Sequence, residues 1–282
     1  MTHPQPGLLR TSLRFTWQGL NDIPLLRASV LWPVLGITLL CLGLAAFGVT
    51  QQVTNPERAE AFSPRLFAFF FLPAEFLLYD LILGNPDPRL TLKRLWLDWR
   101  FPRLLWTWIQ AGLAVGLPGA LLMGVLVAVT TGFSGSTKPS TAQATLLIAA
   151  LVAVACAMMY CFFRLLYLSL AVARRGPQPL RAAFRETKGR MWVIGSMLIL
   201  PYAGIMAAGL AVELLGPLLE SRLGLAGLAP WFLLDACLTG FLCCLSATVL
   251  AFSYQRVFPE PVAGQPQTAE PSPTEDGQQA GR

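Results

Sequence analysis

What most constrains this chain is an alternation. Six apolar stretches, at roughly 28–49, 66–84, 104–131, 146–173, 191–214 and 229–256, are separated by short connections, and every second connection is rich in arginine. A helix needs about 20 apolar residues to cross the hydrocarbon core of a bilayer. Inside that core the backbone must satisfy its own hydrogen bonds, so runs of this length are expected to be membrane helices. Only 13% of the residues are charged and 55% are apolar, whereas a soluble domain carries about a quarter charged residues. The net charge of +6 could suit nucleic acid. The basic residues lie in short clusters between apolar runs, however, which is the positive-inside pattern, so the expected partner is the lipid bilayer and no nucleic acid.

The charge count sets an orientation. The arm 1–27 holds Arg10, Arg14 and Arg27 against Asp22, the connection 85–103 has five basic residues against two acidic, and 174–190 has six against Glu186 alone. Between them, 50–65 balances Arg58 and Arg65 with Glu57 and Glu60, 132–145 has only Lys138, and 215–228 pairs Glu220 with Arg222. The bias alternates throughout and predicts both termini on the cytoplasmic side. Trp106, Trp108 and Trp192 near inner ends, and Trp231 near an outer one, are expected as headgroup anchors. The first apolar run is longer than the core of a cleavable signal peptide and reads as a retained helix.

Whole classes of chemistry drop out. The single histidine, His3, sits in the polar arm, and Cys41, Cys156, Cys161, Cys237, Cys243 and Cys244 all fall within apolar runs, where thiols behave as small hydrophobes. No phosphate-binding loop, dinucleotide fingerprint or metal-ligand spacing occurs. No cofactor, metal site or catalytic residue is therefore expected, and the chain reads as not an enzyme. The polar tetrapeptide at 134–137 is a turn without an accompanying base.

The basic connections repeat. LRTSLRFT at 9–16 aligns with LRAAFRET at 180–187, TLKRLWLDWR at 91–100 fits between them more loosely, and LLY occurs at 77–79 and 165–167. The predicted fold is accordingly all-α, a polytopic membrane protein of six transmembrane helices arranged as three parallel hairpin repeats, about 9–84, 91–173 and 180–258. Each repeat opens with a basic amphipathic helix lying on the inner membrane surface. Leu9, Leu13, Trp17 and Leu20 form one apolar face, and Leu92, Leu95, Trp96 and Trp99 another. Breakers follow at Pro24, Pro102 and Gly189. Arg10, Arg14, Lys93, Arg94, Arg100, Arg181, Arg185 and Lys188 are the expected contacts to anionic headgroups. Residues 1–258 make the membrane domain. The stretch 259–282, rich in Pro, Gln and Glu, is expected to be a disordered cytoplasmic tail.

The candidate functional residues are charges inside the apolar runs: Glu75 and Asp80 in the second, Arg164 in the fourth and Asp235 in the sixth. A charge at the centre of a membrane helix costs about 2.5–3.5 kcal/mol on insertion scales, so it usually faces protein, water or a partner. Counting residues from the helix ends brings Glu75, Asp80 and Arg164 to similar depth, as a candidate intramembrane polar cluster. Arg164 pairs with Glu75 or with Asp80, or its long side chain snorkels to the headgroups. Pro73 frees a carbonyl beside Glu75, which opens a small polar pocket or simply kinks the helix. Gly112, Gly116 and Gly119 beside Pro118, with Gly204 and Gly209, offer small faces that permit close packing, within the chain or in a homo-oligomer.

Arg164, Ser169, Ala171, Gly176, Pro177, Leu180, Arg185, Thr187, Gly189 and Trp192 together form a series that resembles a bacterial group of six-helix proteins related to the membrane domain attached to some glycerophosphoryl diester phosphodiesterases. Ala183 stands where that group commonly has Ser, Phe184 replaces Trp and Glu186 replaces Leu, while Arg174 and Arg175 occupy the place of an acidic residue before the Gly-Pro. The resemblance implies a multi-pass protein of the bacterial cytoplasmic (inner) membrane. The phosphodiesterase activity of the fused relatives belongs to a separate soluble barrel and does not carry over. The expected function is a non-catalytic scaffold, assembly or regulatory factor that contacts a membrane-protein partner. The alternative is a carrier or permease for a lipid or small amphiphile, lined by Glu75, Asp80 and Arg164.

Overall fold

A computed structural model describes residues 7–54, 64–84, 90–132, 141–174, 178–223 and 227–259. The Gly176–Pro177 turn, the tail from 260, and Glu57, Arg58, Glu60 and Lys138 of the expected outer connections lie outside the described residues. Every regular element among them is helical: α1 (Leu8–Asp22), α2 (Pro24–Thr54), a 3-10 segment (Pro64–Phe71), α3 (Leu72–Ile82), α4 (Leu92–Trp96), α5 (Arg100–Ala111), a π-helical turn (Gly112–Gly116), α6 (Leu117–Gly132), α7 (Thr141–Leu165), α8 (Leu168–Ala173), α9 (Pro179–Glu186), α10 (Met191–Leu223) and α11 (Leu228–Val257).

Among the described residues, five stretches are long and apolar enough to cross a membrane: Pro24–Phe47, Leu92–Leu122, Ile148–Ala173, Met191–Gly216 and Leu228–Val257. The expected second crossing, 66–84, differs. It divides into the 3-10 segment, kinked at Phe67 (φ −101°, ψ 15°), and the short helix α3. Pro73 lies in the first turn of α3, where its missing N–H costs nothing to the helix it starts but denies the preceding turn an α-helical donor. Pro73 is thus a kink at a helix start.

Local signals place the other boundaries. Ile23 is extended (φ −106°, ψ 100°) and ends α1, because a residue before proline is pushed out of the helical region. Gly189, with φ +74°, lets the chain leave α9 and enter α10 in a conformation that a side chain disfavours. The stretch 91–100 is not the single amphipathic helix expected. Thr91 caps the one-turn α4 by accepting from the Arg94 amide at 3.4 Å, and Asp98 then accepts from the Arg100 amide at 3.0 Å, opening α5. Pro102 consequently lies inside the first turn of α5, where it is tolerated, and the break precedes it.

The last helix is the hub. In α11, 56% of the crossing stretch is buried, against 12–33% in the other four, and it packs on α1, α2, α3, α10 and the 3-10 segment. Small residues make this possible. A Cβ at Gly240 would lie 2.7 Å from the Phe71 ring, and one at Gly216 would lie 2.8 Å from Trp231. Trp231 is therefore not the headgroup anchor expected; it is 8% exposed, and its indole N–H donates to the Val212 carbonyl at 3.1 Å. Trp106, Trp108 and Trp192 are exposed. Of the small faces, Gly119 meets Met158 and Gly209 meets Arg65, while Gly112, Gly116 and Gly204 approach nothing. A smaller apolar cluster of Ala111, Leu165, Leu168 and Ala183, with Leu180 and Phe184 against it, joins α5, α7, α8 and α9.

The amphipathic helix α1 turns a different face to the protein from its apolar one. Leu8, Ser12, Thr16 and Gly19 are buried, Thr16 shares a 2.9 Å hydrogen bond with Thr248 of α11, and Leu13 and Trp17 point outward. Small polar residues fit closely against a helix, which leaves the large apolar ones on the outer side. The aligned residues of α9 behave alike: Ala183 and Thr187 are buried, and Thr187 Oγ1 lies 3.2 Å from the Arg164 carbonyl of α7.

Candidate functional site

The three charges expected to cluster do not bind one another. Asp80, on the last turn of α3, accepts from both terminal guanidinium nitrogens of Arg100 at 2.9 Å, and Arg100 Nε donates to Asp98 at 2.6 Å. The Arg100 side chain is 2% exposed and its guanidinium lies 5.1 Å from the Phe76 ring centre. Arg100 is thus removed from the set of headgroup contacts. A bidentate fork on a carboxylate is the strongest geometry open to an ion pair, and a second carboxylate two residues away makes lipid phosphate unnecessary. Arg10, Arg14, Lys93, Arg94, Arg181, Arg185 and Lys188 are all exposed. Beside Lys93 and Arg94, a groove of about 450 Å³ opens between α2, the 3-10 segment and α4, walled by Trp32, Ile37, Phe70, Leu92 and Trp96.

Glu75 is half-buried and has no ion pair among the described residues. Its carboxyl is within electrostatic reach of Tyr79, Tyr202, Cys243 and Cys244. The hydroxyls beside it are engaged elsewhere: Tyr202 with Ser246 at 2.8 Å and Tyr79 with Ser169 at 3.1 Å.

Arg164 is 9% exposed, and its Nε is buried without a hydrogen-bond partner among the described residues. The guanidinium lies 5.9 Å from the centre of the Tyr160 ring and 5.3 Å from that of Phe184 on α9. Each ring contributes about 0.5–2 kcal/mol, while taking an ion out of water costs several kcal/mol, so ring contacts alone leave the charge under-compensated. Because α9 packs against the Arg164 turn through Thr187, the arginine lies level with a short basic helix. Counting residues along a straight helix put it deeper.

A second polar cluster holds one of the candidate charges, Asp235, with two residues that were not among them, Arg65 and Glu213. Arg65, in the first turn of the 3-10 segment, donates to Asp235 of α11 at 3.3 Å, to Glu213 of α10 and to the Gly209 carbonyl. Asp235 is completely buried. Glu213 sits inside an apolar run and could have been flagged on the same ground as Asp235; Arg65 stands at the edge of its run and read as a loop residue.

Two further hydrogen bonds tie helix ends together. Tyr167 meets Ser253 at 3.1 Å, and Arg174 donates to the Tyr254 hydroxyl. No group of His, Cys, Asp and Glu among the described residues has the arrangement of a metal site.

Fold and polar sites define an all-α membrane protein whose interior charges are held mainly by helix-to-helix contacts. Comparison with family profiles, with curated proteins and with solved structures finds no match.

Proposed function

We propose that this chain is a six-crossing protein of the bacterial cytoplasmic membrane that works without catalysis, as a scaffold, assembly or regulatory factor. The observation that carries this reading is the engagement of its interior polar groups. Asp80 with Arg100 and Asp98, Arg65 with Asp235 and Glu213, and the Tyr–Ser pairs lock helices to one another, as a fixed platform requires and a moving carrier does not.

Six crossings are supported by length. Eight residues of 3-10 helix followed by eleven of α-helix span roughly 32 Å, close to the thickness of the hydrocarbon core. Three parallel units are supported by a recurring contact: the short basic helix of one unit packs on the second long helix of the unit before it. So α4 meets α3, α9 meets α7, and α1 closes the ring on α11. Tyr79, Tyr167 and Tyr254 recur about 88 residues apart and are buried; Tyr79 and Tyr167 are each hydrogen-bonded to the following unit, and Tyr254 to Arg174 in the connection before its own. Exposed basic residues on α1, α4 and α9 then face anionic headgroups, and Leu13 and Trp17 enter the lipid. The likeness of the 164–192 stretch to the membrane domain of glycerophosphoryl diester phosphodiesterases agrees with this architecture.

One observation favours the carrier reading: Glu75, a half-buried carboxyl with no ion pair among the described residues. Proteoliposomes separate the two. A scaffold leaves the transbilayer movement of a fluorescent phospholipid at the protein-free rate. A carrier accelerates it, and Glu75→Gln abolishes the gain. Acceleration by the wild type that Glu75→Gln removes would overturn the proposal.

A further inference from the structure

We propose that Arg164 is the binding group of an anion site between α7 and α9 that takes a phosphate oxyanion. The guanidinium is nine-tenths enclosed, its Nε has no partner among the described residues, and aromatic rings flank it on α7 and α9. Every acid that sequence or packing brings near it is engaged elsewhere or makes no ion pair with it. Asp80 is held by Arg100, Glu186 of α9 faces Arg174 at 3.9 Å, and Glu75 has no ion pair among the described residues. A buried cation without a counter-ion is the arrangement expected of a site waiting for an anion.

The chemistry narrows the ligand. A planar fork of donors matches the oxygens of a phosphate, and the Tyr160 and Phe184 rings lie 5.9 and 5.3 Å from it. Thr187 Oγ1, which donates to the Ala183 carbonyl at 2.8 Å, also lies 3.2 Å from the Arg164 carbonyl and brings α9 against that turn. Arg181, Arg185 and Lys188 stand exposed on and just beyond α9 and raise the local concentration of anions. The phosphate can belong to a lipid headgroup or be free in solution. The site itself rests on contacts within the chain; only its assignment to the inner leaflet rests on the six-crossing reading, which reporter fusions test separately.

The test uses the full chain in nanodiscs of phosphatidylcholine, with and without phosphatidylglycerol, and counts retained lipids by native mass spectrometry. A second arm titrates inorganic phosphate into phosphatidylcholine nanodiscs. The wild type is expected to retain one tightly held anion. Arg164→Gln weakens it roughly tenfold or more, as loss of a charge-assisted bond should. Arg164→Lys, which keeps the charge without the fork and serves where the glutamine variant does not fold, weakens it too. Arg181→Gln alters the salt dependence and leaves the anion bound. Displacement of the lipid by inorganic phosphate identifies a soluble ligand, and retention against it identifies a headgroup; both support the site. Equal binding by the wild type and the Arg164 variants would overturn it. So would a wild type that binds neither probe, its guanidinium then being met by water only.

Discussion

At the scale of single residues, Arg100 shows how local sequence can cancel a charge. Its Nε is held by Asp98 two positions away, and its remaining nitrogens by Asp80 across the turn between α3 and α4. Breaking a buried pair by removing one partner costs about 3 kcal/mol or more, because the other charge stays buried. Arg100→Met and Asp80→Ala are each expected to destabilise by roughly that amount. The double variant should lose less than the sum of the two, by about 1–3 kcal/mol, as measured by unfolding in mixed micelles. Strict additivity would refute the pair. Arg65 and Asp235 teach the same lesson. That Asp80 and Asp235 needed partners was legible from the apolar runs around them, but that Arg100 and Arg65 would supply them was not.

At the scale of elements, helix contact is set by the smallest side chains. Gly240 lets α11 lie against the 3-10 segment with no room for a methyl group beside the fully buried Phe71. Gly240→Ala is expected to cost about 1–3 kcal/mol through overpacking, seen as a lower thermal midpoint in detergent. Gly204→Ala, which meets nothing within 4 Å, should leave the midpoint in place or raise it slightly, since alanine is the better helix former. An equal effect at the two positions would contradict the packing described. The alignment of 9–16 with 180–187 made two short helices legible, and Thr16 and Thr187 are buried at matching positions. It could not reveal that α1 turns Ser12 and Thr16 inward while Leu13 and Trp17 face out. Hydrophobic periodicity finds a helix's apolar face, and in a bilayer that face can belong to the lipid.

At the scale of the whole molecule, the six-crossing reading makes a direct prediction. Reporter fusions at positions 58, 138 and 222 should register outside the cytoplasm, and a fusion in the tail after 259 should register inside. Signals on opposite sides of the membrane at 58 and 138 would mean that the stretch of 3-10 and α3 does not cross. The arrangement of three units around α11 would then need redrawing, although the Arg100 and Arg164 sites, built from contacts within the chain, would stand.

By itself the sequence determined what depends on composition over about twenty residues: an all-helical membrane protein, its long apolar stretches and the basic turns between them. Such properties are additive along the chain, since each residue contributes its transfer energy wherever its neighbours later pack. The tertiary structure alone decided which charges meet, that Arg100 is buried while Lys93 and Arg94 are exposed, that Trp231 covers a glycine, and that Arg164 is ringed by aromatic side chains instead of paired. Those outcomes depend on distances between residues tens to hundreds of positions apart. A hydrogen bond or ion pair a few ångströms long is fixed only once the helices have chosen their neighbours.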